Sequence, residues 1–249
     1  MPSSSASSSP QAARRRRGGV GLPERPDRKQ AILLAAEKLF AQHGYHAVAI
    51  RDIALEAGVP LALVGYYYGA KHELFHAIFE HWSPSIEARL AALDAIDTAH
   101  PGPATLTRII EAFTGPVIRL RASAEGEYYA LLVARELYHA RAETDRILRV
   151  LFDPLAHAFI DALQRALPHA TRGEVAWVYQ FALGALMHHL TDNRIDRLSN
   201  GQSRANDPAA APLLVAFIVG GIRAALPGAA VPVPARQKKT PTQRTRSPA

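Results

Sequence analysis

Cysteine is absent from the 249 residues, so a disulfide framework and thiolate chemistry are both excluded. Long apolar runs are also lacking, because the longest, 209–222, contains Pro212 and is too short to span a membrane. The arginines at 14–17 are not followed by an apolar stretch, so we expect no secretory signal, no membrane partner and a cytoplasmic location. With 48% hydrophobic residues, the chain can nevertheless bury a full core.

Sequence motifs for catalysis are scarce. The chain contains no G-x-S-x-G nucleophile elbow, no Walker A phosphate loop and no Rossmann glycine fingerprint. Gly18 and Gly19 lie in a Ser-, Pro-, Arg- and Gly-rich segment and indicate no phosphate loop. We therefore expect no enzyme activity, no cofactor and no metal site.

Positive charge is concentrated at the two ends of the chain, although the net charge is only +7. Residues 1–30 carry seven basic and two acidic residues, and residues 227–249 carry five basic and none acidic. The residues between them have a small acidic excess. Basic arms of this kind can neutralise DNA phosphates, and Arg14, Arg15, Arg16 and Arg17 are candidate phosphate contacts. A solubilising role for such arms is an equally good interpretation.

The segment from Ala49 to Lys71 predicts two short helices joined by a tight turn. Ile50, Ile53 and Ala54 recur at helical spacing, Gly58 ends the first helix, and Pro60 suits the start of the second. Two helices with this connection form a helix-turn-helix, whose second helix enters the major groove of DNA. We interpret the rest of the chain as a support for this helix-turn-helix or as a means of controlling it.

The fold class predicted for the whole chain is all-α, because no segment alternates with period two. A first helix ended by Gly44 completes a three-helix DNA-binding domain over 27–71. A long helix from Lys71 to about Ala95 is expected to join it to a larger helical domain over 72–226. The remaining predicted segments are a disordered basic arm over 1–26 and a disordered basic tail over 227–249.

The last two long helices are apolar on more than one face. A second copy of the chain covers both faces better than the protomer's own core can, so we expect a homodimer through a four-helix bundle. The predicted interface residues are Val178, Phe181, Ala185, His189, Leu214, Phe217 and Ile218.

The run from Ala31 to Phe75 resembles the N-terminal domain of TetR-type transcriptional regulators. The resemblance covers about 45 residues without a gap and includes AAxxLFxxxGY, RDIAxxAGV and a YYxxxK ending. It implies a homodimer that binds a palindromic double-stranded DNA operator and usually represses. It also implies that 72–226 is a helical ligand-binding and dimerisation domain, in which a small-molecule effector releases the DNA. It also implies DNA contacts for Arg51, Pro60, Leu61, Ala62, Gly65, Tyr66, Tyr67 and Lys71.

The predicted recognition helix departs from the family pattern because PLALVGYYY has no charged or amide side chain. Direct base readout normally uses arginine, lysine, asparagine or glutamine. Ala49 and Ala70 also replace hydroxyl caps, each at a cost of about 1 kcal/mol. We expect modest base discrimination with a large phosphate contribution, which keeps open an alternative function as an architectural or weakly specific DNA-binding protein acting through its basic arms.

The candidate effector site is defined less sharply by the sequence. Arg135 and His139 share a helix face, where they could orient a ligand or form an internal ion pair. A third hypothesis, that the chain is a helical enzyme or a ligand carrier, has only these two residues in its support. The aromatic and aliphatic candidates suggest a largely apolar ligand, although the same residues would fill an ordinary core. The predicted ligand-binding residues are Phe113, Val117, Tyr128, Leu132, Arg135, His139, Phe152 and Phe159.

Overall fold

The computed structural model describes residues 27–138 and 142–227, and within that part every regular element is helical. The side chains of 142–144 are not described. The α-helices are α1 (Arg28–His43), α2 (Ile50–Glu56), α3 (Leu61–Tyr68), α4 (Lys71–His81), α5 (Ser83–Asp94), α6 (Thr105–Ala122), α7 (Glu127–Tyr138), α8 (Ala142–Ile147), α9 (Asp153–Ala166), α10 (Arg172–Thr191), α11 (Ile195–Leu198) and α12 (Ala211–Ala225). A π-helical turn, Leu148–Phe152, precedes α9, and a short 3₁₀ turn, Pro208–Ala210, precedes α12. The predicted all-α class is confirmed.

The first three helices begin and end where local chemistry requires it. The Asp27 carboxylate accepts from the backbone N–H of Lys29 at the start of α1, and Gly44, with φ of +84°, ends it. Gly58, at φ +64°, provides the turn between α2 and α3. The missing hydroxyl cap of α2 is partly replaced, because Asp52 accepts from the Ala49 N–H at 2.9 Å.

The long helix predicted from Lys71 to about Ala95 is instead two helices. The helix is interrupted at Trp82, and Pro84 lies in the first turn of α5. Proline lacks an N–H and clashes with the preceding turn of a continuous helix, whereas the first turn of a new helix accommodates it. The link between the two domains is therefore a joint between α4 and α5 with Trp82 at its centre.

Two apolar cores hold the helices together, and α7 contributes to both. The first core contains residues of α1–α4 together with Tyr129, Leu132 and Ile147. The second is formed mainly by α5, α6, α9, α10 and α12, with Ala134 of α7. Because α7 packs directly on α1, a displacement of α7 acts on the helix-turn-helix through a buried contact.

Helix α10 begins with a capping box formed by Thr171 and Glu174. The Glu174 N–H donates to the Thr171 hydroxyl at 3.3 Å, and the Thr171 N–H donates to the Glu174 carboxylate at 2.7 Å. Pro154 lies in the first turn of α9, directly after the π-helical turn, where its missing N–H breaks no helical hydrogen bond.

One helical stretch, Pro208–Ala225, is long and apolar enough to cross a membrane by length and composition, with a mean hydropathy of 1.7. The expectation that no run reaches that length is therefore wrong as stated. Val215, Ile218, Val219 and Ile222 of this stretch are buried in the second core, and Arg223 donates to the Pro103 carbonyl at 3.0 Å. The core of a soluble domain explains this face, so the feature is weak evidence for a membrane span.

Candidate nucleic-acid interface and effector cavity

The outward face of α3 is the candidate DNA-reading surface. Val64 is fully buried and fixes which face of α3 turns inward. Leu61, Ala62, Gly65 and Tyr66 lie on the opposite face and are exposed, Tyr66 by 79%. This face makes few contacts of its own, so it is free to approach a major groove of DNA.

The three tyrosines at the end of α3 differ in their exposure to solvent. The Tyr68 hydroxyl donates to the Lys29 carbonyl at 2.8 Å, and burial raises the pKa of Tyr68 to about 12. Tyr66 and Tyr67 stay exposed and touch edge to face, with ring centroids 5.1 Å apart. Of the three tyrosines at 66–68, Tyr66 and Tyr67 are therefore the ones whose rings are accessible to a partner.

The basic side chains nearest α3 differ in how strongly they interact with neighbouring groups. Arg51 is exposed and lies 3.6 Å from the Asp52 carboxylate, too far for a strong pairing. The Lys71 ammonium lies 4.4 Å from the centroid of the Tyr45 ring, and partial burial lowers the pKa of Lys71. Arg51 is therefore the most available cation beside the recognition helix within the described residues. The four predicted arginines at 14–17 lie outside those residues.

Two adjoining cavities open into the C-terminal core, with volumes of about 180 Å³ and 360 Å³. They share five lining residues: Arg89, Val117, Val133, Phe152 and Met187. Most of the shared surface is apolar, and Arg89 is the charged group that both cavities meet. This pair of spaces, called the effector cavity below, is a concave site of the kind that binds small molecules.

Arg89 is held at the effector cavity without a carboxylate partner among the described side chains, which are those of 27–138 and 145–227. Its Nη2 donates to the Phe113 carbonyl at 3.2 Å, and its guanidinium carbon lies 5.7 Å from the ring centroids of both Phe113 and Phe159. Its Nε is buried and has no hydrogen-bond partner. Burial lowers the pKa of Arg89 to about 10, so the group is still a cation at neutral pH.

Tyr129 connects the effector cavity to the DNA-binding domain. Its hydroxyl is buried without a partner, and its ring stacks on Trp82 with centroids 5.1 Å apart. Trp82 Nε1 in turn donates to the Glu37 carboxyl of α1 at 2.7 Å. Burial raises the pKa of Glu37 to about 7, against weaker opposing effects of hydrogen bonds from Trp82 and the Tyr129 backbone. Cavity wall, interdomain joint and α1 are thus in direct contact.

A broad apolar surface is exposed along α10 and α12. Trp177 and Phe181 are each 65% exposed on α10, and Leu213 and Phe217 are 74% and 71% exposed on α12. A Cβ added at Gly184, Gly220 or Gly221 would meet nothing within 4 Å, so another helix can approach there closely. A patch of this kind on a soluble protein marks an interaction site.

Comparisons with known proteins agree with this arrangement. Residues 32–78 match the model of the bacterial regulatory proteins of the tetR family, and residues 111–221 match that of the tetracyclin repressor-like C-terminal domain. Together the two matches cover more than half of the chain. The chain belongs to the TetR family of transcriptional regulators.

Individual relatives show where the similarity of this TetR-family chain lies. It is 30% identical over 97 residues to the HTH-type transcriptional activator FasR of Mycolicibacterium smegmatis, covering 39% of this chain and 43% of that protein. It is 35% identical over 80 residues to the HTH-type transcriptional regulator BetI of Vibrio parahaemolyticus, covering 30% and 39%. The chain thus matches less than half the length of these curated relatives. A TetR-like regulator from Rhodococcus sp. RHA1 superposes with a TM-score of 0.51 at 25% identity, covering 81% of this chain and 98% of that one.

The predicted ligand-binding residues of this TetR-family chain separate into two groups. Phe113, Val117 and Phe152 line the effector cavity, and Phe159 is buried against Phe113. The other described candidates do not line it. Leu132 is fully buried in the N-terminal core, Tyr128 packs against that same core, and Arg135 donates to the His43 carbonyl at 3.4 Å. Those three face α1 because α7 is shared between the domains, and His139 lies outside the described residues.

The predicted dimer residues need a similar correction. Val178 and Ile218 are each only 5% exposed, because they face the protomer's own second core. Ala185, His189 and Leu214 are half-buried, and Phe181 and Phe217 lie fully on the outer face. Sequence reasoning missed Trp177 and Leu213, which complete that face, because both helices are apolar nearly all round and their spacing does not identify the inner side.

One motif escaped the sequence analysis. Residues 72–76 read HELFH, which matches the H-E-x-x-H pattern of zinc-dependent hydrolases. In the structure Glu73 accepts from the Ala70 N–H at 2.6 Å and so caps α4 instead of facing a metal. Within the part of the chain that is described, no group of three His, Cys, Asp or Glu residues could hold a metal ion. The motif is explained by helix capping.

The histidines near the end of α10 also have local explanations. His188 Nε2 lies 3.2 Å from Asp192, which is in turn held by Arg194 at 2.5 Å. Burial lowers the pKa of His189, with a weaker opposing effect of Asp207. The helix spacing of His188 and Asp192 therefore produces a contact between the imidazole and the carboxylate on one helix face.

Arg89 and Tyr129 are the functional candidates that sequence reasoning missed. A signal for Arg89 was present, because it lies three residues after Ile86 and four before Leu93, both of which are buried. An arginine on the apolar stripe of a helix indicates a charge that is turned inward. No comparable signal in the sequence distinguishes Tyr129 from its neighbour Tyr128.

Proposed function

We propose that the chain is a ligand-responsive transcriptional repressor that binds a palindromic operator as a homodimer and is released by a small, largely apolar effector. The observation that carries the proposal is the contact path from the effector cavity to α1 through Tyr129, Trp82 and Glu37. A cavity that merely fills an imperfect core needs no such connection to the DNA-binding domain.

On the DNA side, the exposed face of α3 enters the major groove. Leu61 and Ala62 offer apolar contact to thymine methyl groups, and Tyr66 and Tyr67 donate to phosphates. Arg51 supplies the nearest free cation, with Pro60, Gly65 and Lys71 at the edges of the contact. The predicted contribution of Arg14–Arg17 is an additional phosphate attraction.

Two copies are needed to read a palindrome, and the α10–α12 surface offers the place for them to meet. Phe181 and Phe217, with Trp177 and Leu213, supply the apolar area, and Gly184, Gly220 and Gly221 permit close helix approach. Half-sites about one helical turn of DNA apart require a fixed separation of the two α3 helices. A ligand that changes the α4–α5 joint changes that separation.

The test is binding of the full-length protein to its own upstream intergenic DNA, compared with a scrambled duplex by fluorescence anisotropy across a salt series. A specific complex with a dimer that persists at physiological salt is the expected result. Equal affinity for both duplexes would overturn the proposal. A reporter strain distinguishes repression from activation, since deletion of a repressor raises expression from that promoter and deletion of an activator lowers it.

A second function is favoured by the composition of α3, which has no charged or amide side chain for base readout. In that case the chain binds DNA with little sequence preference through its basic ends. The salt series separates the two functions, because removal of residues 1–26 would then abolish both the affinity and its steep salt dependence. For the operator-binding repressor, the truncated protein keeps its preference for the specific duplex.

A further inference from the structure

We propose that the effector cavity takes an amphipathic carboxylate, whose head group is bound by Arg89 and Tyr129 and whose apolar tail fills the rest of the space. The inference rests on the proposed function only for its regulatory meaning. Binding itself is a property of the cavity and is measured without DNA.

The first step of the argument is the state of Arg89. Arg89 is half-buried with its Nε withdrawn from water, and a cation that loses water without gaining an anion is costly. Here the guanidinium has one carbonyl contact and two aromatic faces, and its Nε is left with no acceptor. An incoming carboxylate supplies the missing charge and can accept two parallel N–H bonds from the planar group.

The second step is a further donor on the same wall. Tyr129 and Arg89 both line the smaller cavity, and the Tyr129 hydroxyl is also buried without a partner. Two residues that line one space and each carry a polar atom without a hydrogen-bond partner are complementary to an acceptor-only group. An ionised carboxylate is such a group, whereas an alcohol or an amine carries hydrogens of its own.

The third step is the chemistry of the remaining lining. Val117, Val133, Phe152 and Met187 connect the smaller cavity to the larger one and present no charge. Asp153 and His157 line the larger cavity, but both are exposed. An anionic head is therefore attracted to Arg89 inside, and an aliphatic or aromatic tail extends along the apolar wall toward Asp153. A cationic head is disfavoured at Arg89.

The experiment compares three probes of equal tail length by isothermal titration calorimetry on the full-length protein, below their micelle-forming concentrations. The probes are decanoate, 1-decanol and decyltrimethylammonium. Decanoate is expected to bind at least about 30-fold more tightly than 1-decanol, because a carboxylate can accept two parallel charge-assisted bonds from Arg89 and an alcohol cannot. The ammonium probe is expected to bind most weakly.

Variants assign the effect to Arg89. Arg89→Met is expected to lose about 30-fold or more in decanoate affinity while its 1-decanol affinity changes by less than about 3-fold. Tyr129→Phe removes only one hydroxyl and is expected to weaken decanoate by about 5-fold. Arg108→Met, an exposed arginine on α6, is the matched control and leaves all three affinities unchanged.

Arg89→Met also separates a ligand-binding arginine from a structural one. Removal of an unpaired buried charge leaves the thermal midpoint of the free protein unchanged or higher, whereas removal of a structural arginine lowers it. Equal binding of decanoate and 1-decanol by the unmodified protein would overturn the proposal, and this comparison needs no variant. Decanoate affinity that Arg89→Met and Arg108→Met change equally would also overturn it.

Failure of this inference and failure of the repressor proposal give different results. A protein that prefers its own upstream DNA but does not distinguish decanoate from 1-decanol is a regulator with another effector. A protein that binds decanoate through Arg89 but binds all duplexes equally has the carboxylate site without the operator.

Discussion

Gly65 occupies the centre of the DNA-reading face although the protein itself does not require a glycine there. Its φ is not in the left-handed region, and an added Cβ would meet nothing within 4 Å. Glycine in a helix interior lowers stability relative to alanine. A residue that costs stability and fills no structural need is explained by close approach of another molecule.

Replacement Gly65→Ala therefore has opposite effects on folding and on DNA binding. The free energy of unfolding is expected to rise by about 1 kcal/mol, the helix-propensity difference between the two residues. Operator affinity is expected to fall by about 10-fold, because the new methyl group separates the helix from the groove. Chemical denaturation and fluorescence anisotropy measure the two quantities.

Gly173→Ala is the control for this change, since it adds a methyl group with equally open surroundings in the first turn of α10. It leaves operator affinity unchanged. If Gly65→Ala bound the operator as tightly as the unmodified protein, α3 would not insert its outer face into DNA.

Glu37 makes stability depend on pH. Its folded-state pKa of about 7 lies above the ordinary value of 4.5, so the folded protein holds this proton more tightly than the unfolded chain. Its contribution is full below pH about 4.5 and is lost as the pH rises through about 7. Glu37→Gln stays neutral and keeps an acceptor for Trp82, so it avoids this loss.

The measurement is the thermal midpoint of Glu37→Gln and of the unmodified protein between pH 4.5 and 8.5. The two midpoints are expected to converge at the acid end and to separate as the pH rises, with the variant higher at pH 8. Glu80→Gln, an exposed carboxyl on α4, shows no such divergence. A constant difference between Glu37→Gln and the parent at every pH would contradict the assignment.

At the scale of elements, α10 and α12 each have one face in the protomer core and an apolar face outside it. Val178 and Ile218 face inward, whereas Phe181 and Phe217 face outward. Helices that are apolar on both sides are stable in water only when both sides are covered. The outer face is the part of the molecule where a second copy contributes most.

The double change Phe181→Asp with Phe217→Asp is expected to convert the dimer to a monomer that is still folded, because both side chains lie outside the protomer core. Burial of two such rings contributes roughly 3–6 kcal/mol to association. Analytical ultracentrifugation measures the molar mass, and circular dichroism checks the helix content.

Val150→Asp is the matched control, since Val150 is 62% exposed on a different surface. It leaves the molar mass unchanged. A dimer that survives the double change would move the interface away from α10 and α12.

At the scale of the whole molecule, the two domains are not joined by a simple linker. α7 belongs to both cores, and the joint between α4 and α5 is held by the stack of Trp82 on Tyr129 and the bond from Trp82 to Glu37. Trp82 therefore packs against Tyr129 in the C-terminal domain and donates a hydrogen bond to Glu37 in the DNA-binding domain. A ligand that binds the Tyr129 hydroxyl acts on this joint directly.

Trp82→Phe tests the coupling because it keeps an aromatic ring against Tyr129 and removes the N–H that reaches Glu37. Ligand affinity is expected to change by less than about 3-fold, whereas ligand-induced release of operator DNA is reduced by about 5-fold or more, within the usual range of coupling energies. Tyr138→Phe, which removes a hydroxyl from a 55% exposed ring on α7, is the matched control and leaves release intact. Normal release by Trp82→Phe would place the coupling elsewhere.

The helix-turn-helix could be predicted from the sequence because its determinants are local. Gly58 ends α2, Pro60 precedes α3, and Val64 is the buried residue of a short helix, all within a few residues of each other. The same locality made the exposed tyrosines predictable, since adjacent helical residues point in different directions and Tyr68 is needed inside. The all-α class could likewise be predicted, because apolar residues recur at helical spacing and no segment alternates with period two.

Only the tertiary structure decided which residues form the effector cavity and which side of each apolar helix turns inward. Leu132 and Arg135 share α7 with cavity residues but face α1, because a single helix serves two cores. Arg89 is placed among aromatic rings by helices α5, α6 and α9, which are distant in sequence. Helical periodicity determines that a residue lies on a face of its helix, and the neighbour that covers this face is determined by long-range packing.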